Sequence, residues 1–429
     1  MRKTQKSRRR VAFPHRRQVA VLIDFSRSYG RGLLSGVAKF VREHHEWSVQ
    51  SEEWRWTDAT PAWFRNWKGD GAIAWVETPE LATIIHALGV PVVDVRGSVK
   101  NCGLPLIATE NRTVVDLVAE HFMQRGFRHY AFCGFVGANY SDHRSRLFQE
   151  RLAGAGLTCA IYYPPETSRD AQVIELEKRG LLFQDHLSNW LKSLPKPVGI
   201  MTCNDIRGHQ VVNACRRANL AVPEEVAVVG VDNDEIFCEL CDPPLTSVAL
   251  NTLQIGYEAT ALLERIMDGG KSPEKPVRLP PLGIVTRRSS DVLAMSDRQL
   301  AAGTRFMREH AFRTININEV AKAAGMSRRV FERRFVAQVG RAPKAEILRL
   351  RLERVKDLLA DTDWTLAQIA ERTGFKYSEY LHTVFTQKVG MPPGRFREHI
   401  KQLKPGARFP PGTNAGAFPR HRKIRSKPG

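Results

Sequence analysis

The hydrophobic pattern of the chain changes period twice. Residues 19–25, VAVLIDF, form a nearly unbroken apolar run. Such a run suits a parallel strand buried on both faces. A short polar loop follows at 26–30, and then Leu33, Leu34, Val37, Ala38 and Val41 recur at helical spacing. The alternation continues. Strands are predicted at 47–54, 71–76, 91–95, 129–135, 158–163, 198–202 and 226–232, with helices at 80–88, 113–124, 144–153 and 209–218 between them. Residues 245–270 read as a strand-like entry and an amphipathic helix, and 283–287 as a last strand. This order predicts a doubly wound α/β body, long enough for two lobes with a cleft between them.

From residue 299 the period becomes purely helical. A helix is predicted at 299–310. In 317–340, Val320, Ala321 and Ala324 form one stripe, Gly325 breaks it, and Val330, Phe331 and Phe335 form a second. The same grammar returns at 365–390, where Leu366, Ile369 and Ala370 precede the break at Gly374-Phe375, and Tyr380, Leu381, Val384 and Phe385 are placed on one face. Each copy predicts two short helices around a tight turn, a helix-turn-helix whose second helix can lie in a DNA major groove. Between them, Pro343 opens a helix with Ile347, Leu350, Val355, Leu358 and Leu359 on its apolar stripe. At 1.5 Å per residue it spans about 27 Å, enough to hold two reading heads about one DNA turn, roughly 34 Å, apart. The predicted domains are a basic disordered arm at 1–17, a two-lobed sensor at 18–289, a linker at 290–297, an all-α DNA-binding domain at 298–399 and a basic disordered tail at 400–429.

Charge sharpens the division. The formal net charge is +20 over 429 residues, yet residues 18–297 carry a net −5 and residues 298–429 a net +17. Residues 1–17 hold eight Lys/Arg and no acid. A basic end joined to a mildly acidic body suits one domain that meets a polyanion and another that does not. All seven Cys lie between Cys102 and Cys241 and are read as making no CxxC pair, as unpaired, reduced, mostly buried thiols of a cytoplasmic protein. The apolar run at 19–23 is too short for a membrane span, so no membrane partner is expected.

Ligands of doubly wound sheets bind beyond the carboxyl ends of the strands. The polar residues there are Ser26, Arg27 and Tyr29, then Glu77, Asp94 with Arg96, Arg144, Asn204 with Asp205, and Asp232 with Asn233. Carboxylate, amide and guanidinium groups around an aromatic ring match the paired donors and acceptors of a polyhydroxylated ligand. Of the tryptophans Trp54, Trp56, Trp63, Trp67 and Trp75, one is expected to stack on a sugar face and the others to lie in the core. No GxSxG, GxGxxG or Walker glycine loop occurs, and the dispersed Cys and His show no metal-ligand spacing. Asp205 and Asp232 lack an accompanying nucleophile. The expectation is a non-enzyme with no cofactor and no metal.

On the DNA side the first head offers Ser327, Arg328, Arg329, Glu332 and Arg333, and the second Lys376, Tyr377, Ser378, Glu379 and His382. Arginines bond guanine edges in pairs, and short polar groups read bases or phosphates. Arg334 is expected to face back toward the connecting helix.

Residues 300–398 resemble the AraC family of bacterial transcription factors, through Ile369-Ala370, Gly374-Phe375, Phe385, Gly390, Pro393 and Phe396-Arg397. Leu381 and Thr383 depart from that pattern. Residues 18–289 resemble the effector domain of lactose-repressor-type regulators, through 19–25, PLIATENRTVVDLVAEHFMQRGFRHYAFCG, TCNDIRGHQVVNAC, VAVVGVDND and LTSVALNTLQIGYEA. These resemblances imply a homodimeric regulator, most often an activator, that meets double-stranded DNA, a small sugar (xylose or similar) and RNA polymerase, with Arg144, Asp205 and Asp232 at sugar-contacting positions. The rival readings are a sugar-binding module with only non-specific DNA affinity, and a sugar-processing enzyme.

Overall fold

A computed structural model of the chain describes residues 16–44, 47–55, 58–164, 183–292, 294–295 and 297–403. The arm at 1–15, the tail at 404–429 and Trp56 lie outside the described residues. The chain divides into two compact units, Met1–Ser296 and Asp297–Gly429.

The first unit alternates strands and helices. Its first half comprises β1 (Arg17–Leu22), α1 (Ser28–His44), β2 (Trp47–Gln50), α2 (Ala62–Arg65), β3 (Gly71–Ala74), α3 (Pro79–Ala87), β4 (Val92–Asp94) and β5 (Ile107–Thr109). Then come α4 (Asn111–Gln124), β6 (His129–Cys133), α5 (Asn139–Ala153), β7 (Cys159–Ile161), α6 (Gln184–Ser193), β8 (Val198–Thr202) and α7 (Asp205–Arg217). The last elements are β9 (Val226–Asp232), α8 (Glu235–Leu240), β10 (Thr246–Ala249), α9 (Thr252–Met267), β11 (Val277–Leu279) and β12 (Gly283–Val285). Two main sheets result, ordered β2-β1-β3-β4 and β12-β10-β9-β8-β6-β7. All pairings are parallel except β10 with β12. A further parallel pair, β11 with β5, joins late chain to early chain.

The apolar run at the start forms β1 because both faces are covered: Val19, Ala20 and Ile23 are fully buried. β2 is shorter than predicted. It stops at Gln50, and its residues after Trp47 are exposed, as befits an edge strand. Helices α1 and α9 pack backbone on backbone. A Cβ at Gly36 would stand 2.0 Å from the Leu253 carbonyl oxygen, and one at Gly256 2.0 Å from that of Leu33. The predicted sheet tryptophans divide: Trp54 and Trp67 are buried in the core under the first sheet, whereas Trp75 reaches the cleft.

Among its described residues the second unit is all helical: α10 (Arg298–His310), α11 (Ile317–Ala323), α12 (Arg328–Val339), α13 (Pro343–Asp361), α14 (Leu366–Arg372), α15 (Ser378–Val389) and α16 (Pro393–Leu403). Capping boxes at Asn316/Glu319 and Thr365/Gln368 start α11 and α14. Phe331 and Phe335 are fully buried in one pair, and Leu381 and Phe385 in the other. Tyr380 is not on that inner face, where its spacing places it; it is 57% exposed. It sits about 100° around the helix from Leu381, outside the buried stripe.

Candidate functional site

The first unit contains a cleft enclosing about 1080 Å³, counting the part open to solvent. Its walls come from the carboxyl ends of both sheets. From the first come Ser26, Arg27 and Tyr29 after β1, Trp75 after β3 and Arg96 after β4. From the second come Arg144 on α5, Asn204 and Asp205 after β8, and Asp232 at the end of β9. Three predicted residues, Glu77, Asp94 and Asn233, do not line it. Glu77 lies behind Arg96, accepting from its Nε at 2.9 Å and from the Trp75 indole N–H at 2.8 Å. Asp94 is fully buried and accepts backbone N–H groups of Val76, Arg96 and Gly97 at 3.3, 2.8 and 2.9 Å. Burial pushes its carboxyl up to about 6, against the pull of those bonds.

Arg96 is held from several sides. Its guanidinium carbon is 4.5 Å from the Trp75 ring centroid and 4.8 Å from that of Tyr140, while Glu77 fixes its Nε. Trp75 and Tyr29 meet edge to face at 5.5 Å. The result is an aromatic and cationic floor whose side chains have little freedom. Arg144 is buried; its Nε donates to Asn111 Oδ1 at 2.9 Å, and it also donates to the Cys203 carbonyl.

Two carboxylates form the opposite wall. Asp205 accepts from Ser247 Oγ at 2.5 Å and from the Asp234 amide at 2.7 Å. Its acidity is strongly suppressed, by burial first and by nearby Asp232 second. Asp232 is pushed up to about 6 by burial, opposed by Arg144 and Arg96. It and Asn233 have positive φ, 110° and 51°, a strained backbone that turns β9 sharply at the cleft. Asn233 itself does not line the cleft; its Oδ1 accepts from Arg287 at 2.9 Å. Asn204 caps α7 through its Oδ1 and donates from Nδ2 to the Tyr140 hydroxyl at 3.2 Å.

The cleft also takes in Asn111, Asn139, His143, Asp234 and Arg278, which were not among the strand-end candidates. Asn111, Asn139 and His143 lie on helices, where strand-end reasoning does not look. The thiols do include one close spacing, Cys238 and Cys241, contrary to the reading above. Both are buried, and burial pushes Cys241 up to about 12, so neither is poised as a thiolate. Among the described residues no group of His, Cys, Asp and Glu is arranged to hold a metal ion.

In the second unit Ser327 caps α12, its Oγ accepting from the Val330 amide at 3.4 Å. Arg328, Arg329 and Arg333 are exposed. Arg328 pairs with Glu332 at 2.9 Å along the helix. Arg334 pairs at 3.0 Å with Asp297, the residue capping α10. On the other pair Lys376, Tyr377, Glu379 and His382 are exposed and Ser378 is half-buried. Tyr377 is itself the N-cap residue of α15, without a side-chain cap bond. Tyr377 and Tyr380 are both 57% exposed at the start of α15, an aromatic surface of which helical spacing places Tyr380 inward and Tyr377 among the DNA-reading residues.

Three family models match the chain: a XylR N-terminal domain over residues 18–112, a periplasmic binding protein-like domain over 119–290 and a helix-turn-helix domain over 320–399. The xylose operon regulatory protein of Escherichia coli (strain K12) is 28% identical over 395 residues, covering 90% of this chain and 98% of that protein. Its namesake from Haemophilus influenzae is 29% identical over 387 residues, covering 89% and 98%. A solved structure described as the xylose-binding transcription activator xylR superposes with a TM-score of 0.74 at 28% identity, covering 90% of this chain and 99% of that one. A LacI family transcriptional regulator from Enterococcus faecium with bound ribose covers 65% of this chain and 100% of its own at 16% identity and TM-score 0.52, a likeness of fold alone.

The fold and these relatives define a sequence-specific DNA-binding transcriptional regulator, not an enzyme. It resembles the XylR-type regulators in architecture, with a periplasmic-binding-protein-like sensor followed by an all-α domain bearing a helix-turn-helix. This corrects the AraC-family assignment. The models that match are XylR and periplasmic-binding-protein domains with a general helix-turn-helix domain, and the relatives matching along 90% of the chain are XylR-type regulators.

Proposed function

We propose that the cleft binds a small sugar, a pentose such as D-xylose, and that its occupancy controls transcription of pentose-metabolism genes, most often by activation. The observation that carries this reading is the meeting of Asp232, Arg144, Asn204 and Arg96 from both sheets beside the Trp75 and Tyr29 rings. Carboxylate and amide oxygens accept from sugar hydroxyls, guanidinium groups donate to them, and an aromatic face covers the C–H side of a pyranose. Glu77 and Asp94 act behind the wall as supports. The relatives' names, a xylose operon regulatory protein and a xylose-binding activator, point the same way.

On the DNA side, both helix pairs act as helix-turn-helix heads, α12 and α15 entering successive major grooves. Ser327, Arg328, Arg329, Glu332 and Arg333 serve the first groove, and Lys376, Tyr377, Ser378, Glu379 and His382 the second. The domain limits are 18–289 for the sensor, 290–297 for the linker and 298–399 for the DNA-binding domain, with 1–17 and 400–429 as basic extensions. The regulator works in the cytoplasm at the nucleoid, as a homodimer whose arrangement changes when sugar closes the lobes, and it contacts RNA polymerase when activating.

A thermal-shift screen of the full chain against pentoses, hexoses and their acids tests the effector. A ligand that binds only the folded state raises apparent stability by linkage. D-xylose or a close pentose is expected to raise the sensor's transition. A shift with hexoses or sugar acids and none with pentoses would overturn the pentose assignment.

A further inference from the structure

Arg351 lies near the middle of α13, the helix between the two pairs, and is half-buried. Its Nε donates to the carbonyl of Ala311 at 2.7 Å and its Nη2 to that of Arg313 at 2.9 Å. These carbonyls stand at and just beyond the C-terminus of α10. The last carbonyls of a helix have no partner within it, and the helix dipole there is negative, so a guanidinium satisfies both demands. Helix α10 is in turn locked to the first pair. A Cβ at Gly303 would meet Phe331 at 2.6 Å and Ala324 at 2.8 Å.

The same guanidinium also abuts the second pair. Its carbon is 5.9 Å from the Phe375 ring centroid. A Cβ built on Gly374, whose φ is +75°, would stand 3.0 Å from its Cζ, Nε and Nη2. One side chain thus touches the body of the first pair and the turn of the second. Two other polar anchors of α13 stay within one half. Glu346 gathers Arg308, Arg341 and Arg349 on the first side. On the second side, Arg397 donates to the Trp364 and Leu359 carbonyls.

We infer that Arg351 is a positioning residue that sets the distance and phase between the two DNA-reading helices. The inference rests on the reading that both pairs contact DNA. A planar guanidinium holding two carbonyls, with Gly374-Phe375 packed beside it, defines an angle. The apolar seam of Val355, Leu358 and Leu359 with Ile369 and Phe375 resists separation but is non-directional. Removing Arg351 leaves the seam and both reading surfaces intact and frees the tilt of the second pair. The expected consequence is loss of spacing selectivity, not of base preference.

The test uses the full chain and a DNA site selected with it, footprinted to locate two subsites, and a series with one or two base pairs inserted or deleted between them. The wild type is expected to lose roughly tenfold in affinity per inserted base pair, the scale of one mismatched contact. Arg351→Ala is expected to bind the original site more weakly but to show a spacing penalty under about threefold. Arg351→Lys, which keeps charge without the fork, falls between. Arg354→Ala, an exposed change on the same helix, weakens every site alike and keeps the full penalty. A folded Arg351→Ala that retains the wild-type penalty overturns the inference. Should the alanine variant not fold, Arg351→Lys decides by the same criterion. A wild type indifferent to spacing, with a footprint over one subsite, overturns the two-head reading itself, and that result shows before any variant is made.

Discussion

At the residue scale the cleft turns on which carboxylates face the ligand and which hold the wall. Asp232 faces the cleft and is pushed up to about 6, so it is mostly ionised at pH 7 and protonated at pH 5. A protonated acid loses acceptor capacity toward a sugar hydroxyl. Sugar affinity is therefore expected to fall between pH 7 and pH 5, and Asp232→Asn to bind weakly with little pH dependence; calorimetry at three pH values checks both. Asp94 has the opposite consequence for folding. Its carboxyl is raised in the folded state, so its contribution to stability is fully present below about pH 4 and is lost as pH rises through about 6. Asp94→Ala, which strands three buried N–H groups, is expected to cost on the order of 1–3 kcal/mol for each group left unsatisfied, up to water entry. Chemical denaturation reads this directly. For DNA, Arg329→Ala is expected to lose about 1–3 kcal/mol at the cognate site and relax its specificity. Equal losses on cognate and random DNA would reduce Arg329 to a phosphate contact.

At the element scale, α1 and α9 press together through Gly36 and Gly256, each leaving no room for a methyl group. Gly256→Ala must push a helix backbone aside. It is expected to destabilise the sensor by roughly 1–3 kcal/mol, the usual cost of overpacking. In differential scanning calorimetry the sensor transition should fall while that of the helical unit holds. This level also shows what a sequence can disclose. The run at 19–23 reads as a central strand because burial on both faces needs unbroken apolar residues, and it is one. The breaks at Gly325 and Gly374 read as turns, and both have positive φ. Glu77 and Asp94 read as ligand contacts because an acid at a strand end looks the same from sequence whether it faces a ligand or accepts backbone N–H groups. Spacing alone places Tyr380 inward because one residue of phase separates an inner from an outer face. His143, Asn139 and Asn111 escaped notice because the helices that carry them reach the cleft only through the tertiary fold.

For the whole molecule, the split of charge and the split of chemistry coincide. The mildly acidic stretch 18–297 carries the cleft, and the basic stretch 298–429 carries the exposed arginines of α12 and the exposed tyrosines of α15. Charge on that scale implies phosphate neutralisation, so DNA affinity is expected to fall steeply with added salt, linearly on logarithmic axes. Specific binding should retain its advantage over random DNA across the salt range. By linkage, a sugar that alters DNA affinity must itself bind with altered affinity to the DNA-bound protein, by the same factor.

The most direct measurement is a titration of a genomically selected DNA site with the full chain, with and without saturating D-xylose, alongside random DNA of equal length. The account predicts preference for the selected site and a change in its affinity or footprint on adding D-xylose, absent in Asp232→Asn. Superimposable isotherms with and without every sugar that binds the protein, or no preference over random DNA, would contradict it.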